Sequence, residues 1–275
     1  MTSEGTGRPT LDPDAVAAAL AGTRWRPEVL HASPSTNAVV ADRIRRGERE
    51  GLVVVADHQT AGRGRLDRSW VTPAGAALTF SALLIPAEAP VARWPWLPLL
   101  TGVAVVDGVR RVAGLDAALK WPNDVLVGDA KVTGILVELV EGPLGAGAVV
   151  GVGINVSQTP DELPVAAATS LEQAAGRPVD RVALLAGVLA ALAQRYDAWR
   201  AEGDGTVRHT LHAAYAGLCD TVGRTVRVQL PSGDDLTGEA IGVDAEGRLL
   251  VRTEHGVTTL GAGDVVHVRP SSPRP

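Results

Sequence analysis

Hydrophobic and polar positions along the chain change period several times, and each change marks an element. Asp12-Pro13 opens an alanine-rich stretch as N-cap and first-turn proline, and Gly22 closes it, which predicts a helix. An extended segment over residues 28–31 precedes a helix over about 36–46, for which Ser35 or Thr36 can cap the free N–H groups. The apolar run 52–56 reads as a buried strand, residues 58–73 as a loop without periodicity, 77–85 as a strand and 96–112 as an amphipathic helix. Three further runs, 118–121, 131–140 and 148–156, are separated by Pro122-Asn123-Asp124, Gly128-Asp129 and the Gly/Pro stretch 142–147, and read as adjacent strands of one sheet. Helical patterns follow over 181–201 and 207–216.

Beyond Asp220 the texture shifts to short alternating runs, 225–230, 236–243, 249–253 and 257–260, with turns at Pro231-Ser232-Gly233 and Ala245-Glu246-Gly247. Mixed strands and segregated helices followed by an all-β module predict an α+β domain and then a small β-barrel. The expected division is a flexible segment and short helix over 1–24, with 1–11 disordered, a main domain over 25–220 and a β-domain over 221–270.

With 275 residues, 45% of them hydrophobic, the chain can bury a sizeable core. Its longest apolar run, 182–193, is bounded by arginines and glutamine and is too short to span a bilayer. The start of the chain has neither a basic region nor an apolar core, so no secretory signal is read and the cytoplasm is expected. A net charge of -5 argues against a general nucleic-acid binder. The lone Cys219 is assigned no chemical role, and the six histidines do not cluster at metal-ligand spacing, His209 and His212 being only an i, i+3 pair, so no metal-binding residue is assigned.

Of the 26 basic residues only Lys120 and Lys131 are lysine, and they lie close together. A compact ammonium that enters a tight site is not replaceable by a planar guanidinium, so both are candidates for chemistry. Four segments join them. Gly62-Arg63-Gly64-Arg65-Leu66-Asp67-Arg68, followed by Ser69-Trp70, combines a free backbone with bidentate donors suited to phosphate, but it is neither a Walker loop nor a dinucleotide fingerprint. Lys120-Trp121-Pro122-Asn123-Asp124 sets an ammonium, an amide and a carboxylate at a strand end, although Pro, Asn and Asp alone would make an ordinary turn. The strand Lys131-Val132-Thr133-Gly134-Ile135-Leu136-Val137-Glu138 carries a charge at its start and a glycine within, the mark of a ligand or second backbone in close approach. Gly151-Val152-Gly153-Ile154-Asn155 repeats the glycine pattern.

Singly these segments are weak; in this order they resemble the biotin–protein ligase family, of the monofunctional type without an N-terminal DNA-binding domain, since about 24 residues before the first strand are too few for a helix-turn-helix unit. The resemblance runs from about Ser35 to Asn155 with the helices behind it, and the terminal module resembles the family's SH3-like domain. It implies a mixed sheet packed by helices, of the class II tRNA synthetase-like, biotin–lipoate ligase type. The implied activity is attachment of biotin to a lysine of a biotin carboxyl carrier domain through biotinyl-5'-AMP, using ATP and Mg²⁺, with no DNA or membrane partner and with a monomer or a homodimer both open. By the same resemblance, Ser35, Thr36, Asn37, Gln59, Arg63, Gly64, Arg65, Lys131, Gly134 and Leu136 would bind biotin. Arg65, Arg68, Trp70, Lys120, Asn123, Asp124 and Asn155 would bind ATP, and Lys131, Arg63 and Arg65 would be catalytic. The arginine segment would order over the intermediate. The chain departs from the family at Leu66-Asp67, where the second position is commonly glycine, and at Thr133, commonly a smaller residue. A lipoate or octanoate ligase, a biotin-sensing repressor and an interaction protein built on the β-module are the competing readings.

Overall fold

The computed structural model describes residues 7–65, 68–201, 208–230, 233–261 and 263–268. Leu66, Asp67, Val207, Pro231, Ser232, residues 270–275 and the side chain of His209 lie outside the described residues, and with them the expectations placed there. In chain order, α1 (Pro13–Leu20), β1 (Arg26–Ser33), α2 (Thr36–Arg45) and β2 (Leu52–Gln59) are followed by the short strands β3 (Gly62–Arg63) and β4 (Ser69–Trp70). Next come β5 (Ala77–Leu84), α3 (Trp96–Ala113), β6 (Ala117–Lys120), β7 (Asp124–Val127), β8 (Ala130–Gly142) and β9 (Gly145–Asn155). The helices α4 (Leu171–Ala175), α5 (Arg181–Ala201) and α6 (Arg208–Leu218) lead to β10 (Thr225–Gln229), β11 (Asp235–Val243), β12 (Leu249–Thr253), β13 (Gly256–Leu260) and β14 (Asp264–His267).

The α+β reading holds. Seven strands form one mixed sheet in the order β1-β2-β5-β9-β8-β7-β6, parallel only between β1 and β2. Side chains alternate across it. Val53 and Val55, Phe80 and Ala82, Val150 and Val152 enter the large core with α3 and α5, whereas Leu52, Val54, Leu83 and Val149 meet Val40, Ala41 and Ile44 of α2 on the other face. Because α2 is short, that second face is covered at one end only. The uncovered end is where the chemistry-bearing residues gather.

Five antiparallel strands, β13-β12-β11-β10-β14, make the C-terminal β-domain. Trp96 at the start of α3 donates to Ala245 O at 2.8 Å, Trp121 to Gly247 O at 3.0 Å and His212 to Val243 O at 2.5 Å, all on or beside the β11–β12 turn. Val226, Val228, Leu249 and Val251 belong to the same core cluster as Leu99 and Trp121. The two parts are therefore joined by buried apolar surface as well as by hydrogen bonds.

Several expectations need correction. The loop over 58–73 contains a hairpin, Gly62 paired with Trp70 and Arg63 with Ser69, too short to leave a period in the sequence. Residues 118–121 and 131–140 are not neighbours, because β7, read as turn, pairs between them. Ser35 makes no capping bond; Thr36 N is satisfied instead by Gln59 Oε1 from β2 at 2.8 Å. The helix at 96–112 is buried almost all round, since α5, α6 and, at Trp96, the β11–β12 turn cover what an amphipathic helix would leave to water. Residues 8–11 are fixed rather than disordered: Arg8 pairs with Glu162 at 2.6 Å, and Leu11 N donates to Asp57, itself paired with the buried Arg181 at 3.0 Å. α4 and β14 were not anticipated.

Candidate active site

On the uncovered face the floor is made of small residues in register. Gly134, Gly153 and Thr79 form one cross-strand row, and Leu136, Gly151 and Ser81 the next. The glycines are required by what lies on them: a methyl group at Gly151 would stand 2.1 Å from Asn37 Oδ1, and one at Gly153 2.5 Å from the Trp70 ring. The sequence thus excavates a cleft by placing no side chain where a buried sheet usually carries one.

A cleft open to solvent lies above this floor. Ser35, Thr36, Asn37 and Gln59 line it, as do Arg63, Gly64, Arg65 and Arg68. Trp70, Asn123, Asp124, Lys131, Gly134 and Leu136 complete the expected set. Two expected residues are not brought in. Asn155 is buried behind the wall, where its amide donates to Thr169 O at 3.1 Å and accepts from Gln158 at 2.9 Å. Lys120 sits opposite Asp124 on the β6–β7 hairpin, outside the lining.

Lys131 owes its direction to an irregularity. Residues 131 and 134 of a regular strand point to opposite faces, but β8 carries an extra residue against β7 between the Val125–Thr133 and Leu126–Lys131 pairs. The bulge turns Lys131 onto the floor side, within 3.6 Å of where a Gly134 side chain would begin. Its backbone is held by Ala167 O and Thr169 N, at 2.8 and 2.9 Å. Asn155, through Thr169, thus supports the segment that anchors Lys131. Thr133, by contrast, faces the core, fully buried and with its hydroxyl unpaired, so its departure from the family pattern leaves the cleft unchanged.

One end of the cleft is neutral. Gln59 Oε1 accepts from Thr36 N and Thr36 Oγ1, and Ser81 Oγ donates to Asn37 Oδ1 at 2.5 Å while lying 2.7 Å from Thr36 Oγ1. Asn37 Nδ2 donates to Glu138 at 2.7 Å. The other end is charged, and each cation lining it has a partner: Lys131 with Asp124 at 2.6 Å, Arg63 with Glu138 at 2.8 Å, Arg65 with Asn123 Oδ1 at 2.9 Å, and Arg68 with Asp264. Burial lowers the Arg65 pKa, against the opposing pull of Asp124 and Asp264. Burial also disfavours the Asp264 carboxylate, yet Arg68, helped by Lys120 and Lys131, holds its pKa below the usual carboxylate range.

Sequence reasoning missed Ser81 and Asp264, and gave Glu138, quoted within its motif, no role. The period-two run of small residues Thr79 and Ser81, matched by Gly151 and Gly153, is a signal that would have found the floor. Asp264 leaves none, because its place in the cleft depends on how the β-domain docks. The arginine segment forms a thin wall: Arg63, Gly64, Arg65 and Arg68 also line a second cavity on its far side, with Leu99, Trp121, Pro122 and Arg248. Neutral donors and acceptors at one end, and cations able to take a condensed anion at the other, suit a ligand that is amide-like at one end and phosphorylated at the other.

Comparison with known proteins agrees in kind. A model of the biotin/lipoate A/B protein ligase family matches residues 29–155, and one of the biotin protein ligase C-terminal domain matches residues 221–268. The chain is 38% identical over 276 residues to the biotin–[acetyl-CoA-carboxylase] ligase of Mycobacterium tuberculosis, covering 98% of this chain and 100% of that one. It is 36% identical over 220 residues to the bifunctional ligase/repressor of Bacillus subtilis, covering 78% of this chain and 66% of that protein. The structure of a biotin protein ligase from Aquifex aeolicus in complex with biotin and ATP superposes with a TM-score of 0.76 at 29% identity, covering 89% of this chain and 99% of that one.

Proposed function

The chain belongs to the biotin protein ligase family and its activity is the ATP-dependent ligation of biotin to a carrier protein; we propose that the two ends of the cleft divide that work. Ser35, Thr36, Asn37 and Gln59 hydrogen-bond the ureido ring of biotin, while Gly134 and Leu136 shape the floor beneath it. Arg63, Gly64 and Arg65 cover biotin and the intermediate. Arg65, Arg68, Trp70, Asn123 and Asp124 serve the nucleotide, with Lys120 and Asn155 acting from behind the lining. Lys131 reaches the biotin carboxylate and the α-phosphate. The observation that carries this assignment is that a neutral pocket and four cations share one cleft.

In the first step a biotin carboxylate oxygen attacks the α-phosphorus, and the bond to pyrophosphate breaks. Lys131 and the loop arginines stabilise the charge that gathers on the phosphoryl oxygens. The arginine wall then keeps water from the acyl-phosphate anhydride. In the second step the neutral amine of the acceptor lysine attacks the acyl carbon and AMP leaves. Mg²⁺ fits as an ion that arrives with ATP: Asp124 and Asp264 both face the phosphate end, and among the described residues no cluster of three or more His, Cys, Asp or Glu could hold a metal by protein ligands alone. Bound there it would neutralise phosphate charge. The acceptor is the biotin carboxyl carrier domain of a biotin-dependent carboxylase. The catalytic part spans residues 25–220 and the β-domain 221–270. Among the described residues no helix is long and apolar enough to cross a membrane.

Incubation with biotin, MgATP and a biotin carboxyl carrier domain, followed by mass spectrometry, tests the reading. One biotinyl addition on a carrier lysine is expected, and none when octanoate replaces biotin. Transfer of octanoate in preference to biotin would refute it.

A further inference from the structure

We propose that Glu138 is a positioning residue that couples the polar pocket to the arginine loop, because one carboxylate oxygen receives both the Asn37 amide and the Arg63 guanidinium. The inference rests on the assignment of Asn37 to the biotin end. Glu138 follows Gly134 and Leu136 on the floor side of β8, one cross-strand row beyond Leu136, with Val149 as its neighbour on β9. Its Oε2 accepts from Asn37 Nδ2 at 2.7 Å and from Arg63 Nη2 at 2.8 Å.

The Asn37 amide cannot turn freely. Its oxygen accepts from the fully buried Ser81 hydroxyl and its nitrogen donates to Glu138, so both ends are fixed. Polar groups within 3.1 Å of one another run from Gln59 on β2, through Thr36 and Asn37 on α2 and Ser81 on β5, whose one proton serves either Thr36 or Asn37, to Glu138 on β8 and out to Arg63 on the loop. A ligand that adds a donor or acceptor beside Thr36 or Asn37 changes what Asn37 offers Glu138, and hence how Glu138 holds Arg63. Such chains of buried hydrogen bonds polarise and orient one another.

The alternative is an ordinary surface ion pair. Arg63 is 49% exposed and Glu138 29%, and pairs of that kind add little to stability. The small stabilisation is what makes the pair suited to a moving element: the Arg63 contact can be remade at low cost, while Asn37, 5% exposed, keeps the carboxylate in place. Glu138 thus acts on the position of the loop, and its removal should show there rather than in the melting temperature.

The test is Glu138→Gln, which keeps shape and one acceptor oxygen but removes the charge. Biotin binding is measured by calorimetry, and the loop is probed by trypsin cleavage after Arg63, Arg65 and Arg68, with and without biotin and in the absence of nucleotide. In the wild type, biotin slows cleavage; in the variant, biotin still binds within about threefold, but the protection falls roughly tenfold, the scale of a lost charge-assisted hydrogen bond. Release of biotinyl-5'-AMP from the variant is faster by a similar factor. Equal protection in variant and wild type overturns the coupling, as does loss of biotin affinity with loop cleavage unchanged. A wild-type chain that binds biotin without any protection also overturns it, whereas one that binds no biotin removes the assignment of the pocket itself.

Discussion

The two ends of the cleft are built on opposite physical plans. At the neutral end Thr36, Asn37, Gln59 and Ser81 satisfy one another through hydrogen bonds between a helix and two strands, and three of the four are no more than 5% exposed. At the charged end Lys131, Arg63 and Arg68 are each neutralised by a carboxylate, Glu138 or Asp264 among them, that lies far away in sequence or, in Asp124, on the neighbouring strand. The neutral end is preorganised and needs only to receive a ligand. On the proposed assignment the charged end exchanges partners, with phosphate oxygens displacing Asp124 and Asp264 from the cations they now hold. Fixed hydrogen bonds between elements give shape, and exchangeable ion pairs hold cations ready in water without leaving them unpaired.

Breaking the charged end at Lys131, the cation beside the glycine floor, has the largest expected effect. Lys131→Ala loses biotin-dependent pyrophosphate exchange by about 100- to 1000-fold, while calorimetric binding of biotin weakens by no more than about tenfold and the melting temperature stays close to wild type. Near-wild-type exchange would remove Lys131 from the chemistry. Breaking the neutral end costs less: Ser81→Ala leaves Asn37 and Thr36 short of a partner and weakens biotin binding roughly tenfold, with KM for ATP almost unmoved. A variant in which KM for ATP shifts as far as biotin affinity would mean that the two ends form one unit, beyond the single link through Glu138.

Ionic strength sharpens the contrast without a mutation. Half-exposed pairs and phosphate contacts are screened by salt and neutral hydrogen bonds are not, so KM for ATP should rise several-fold between about 0.05 and 0.5 M salt while biotin affinity holds steady. Acid probes the same pairs. The Asp264 pKa is lower in the folded protein than in the unfolded chain, so its contribution to stability is in place above about pH 4 and disappears as pH falls through the folded value. Asp264→Asn should therefore melt below wild type at neutral pH, with the two curves converging in acid; a constant gap would show that the carboxylate's charge is not what matters. The smallest change is on the core side of β8. Thr133→Val removes a buried hydroxyl without a partner and should stabilise the fold by about 1 kcal/mol, leaving both substrates' parameters as they are.

What could be read from the sequence follows the range of the forces involved. β2, β5, β8 and β9 are long or strongly apolar, so local pattern alone located them. β7 is four residues between two turns and merged with its punctuation, and the β3–β4 hairpin is too short to carry a period. Lys131 stood out through residue choice, yet its orientation depends on a bulge that only the pairing of β7 with β8 reveals. Gly151 and Gly153 were visible as a motif, but what rests on them, Asn37 and Trp70, comes from distant segments. Asp264 is beyond reach of any local argument, since docking of the C-terminal sheet through Trp96, Trp121 and His212 places it beside Arg68.

In the proposed assignment one cleft both makes and shelters an anhydride of biotin and AMP. Purified chain incubated with biotin and MgATP, passed through a desalting column and examined by native mass spectrometry, should carry biotinyl-5'-AMP in near-stoichiometric amount with pyrophosphate released, and the signal should vanish in Lys131→Ala. Release of pyrophosphate with no adenylate retained, or no reaction at all, would contradict it.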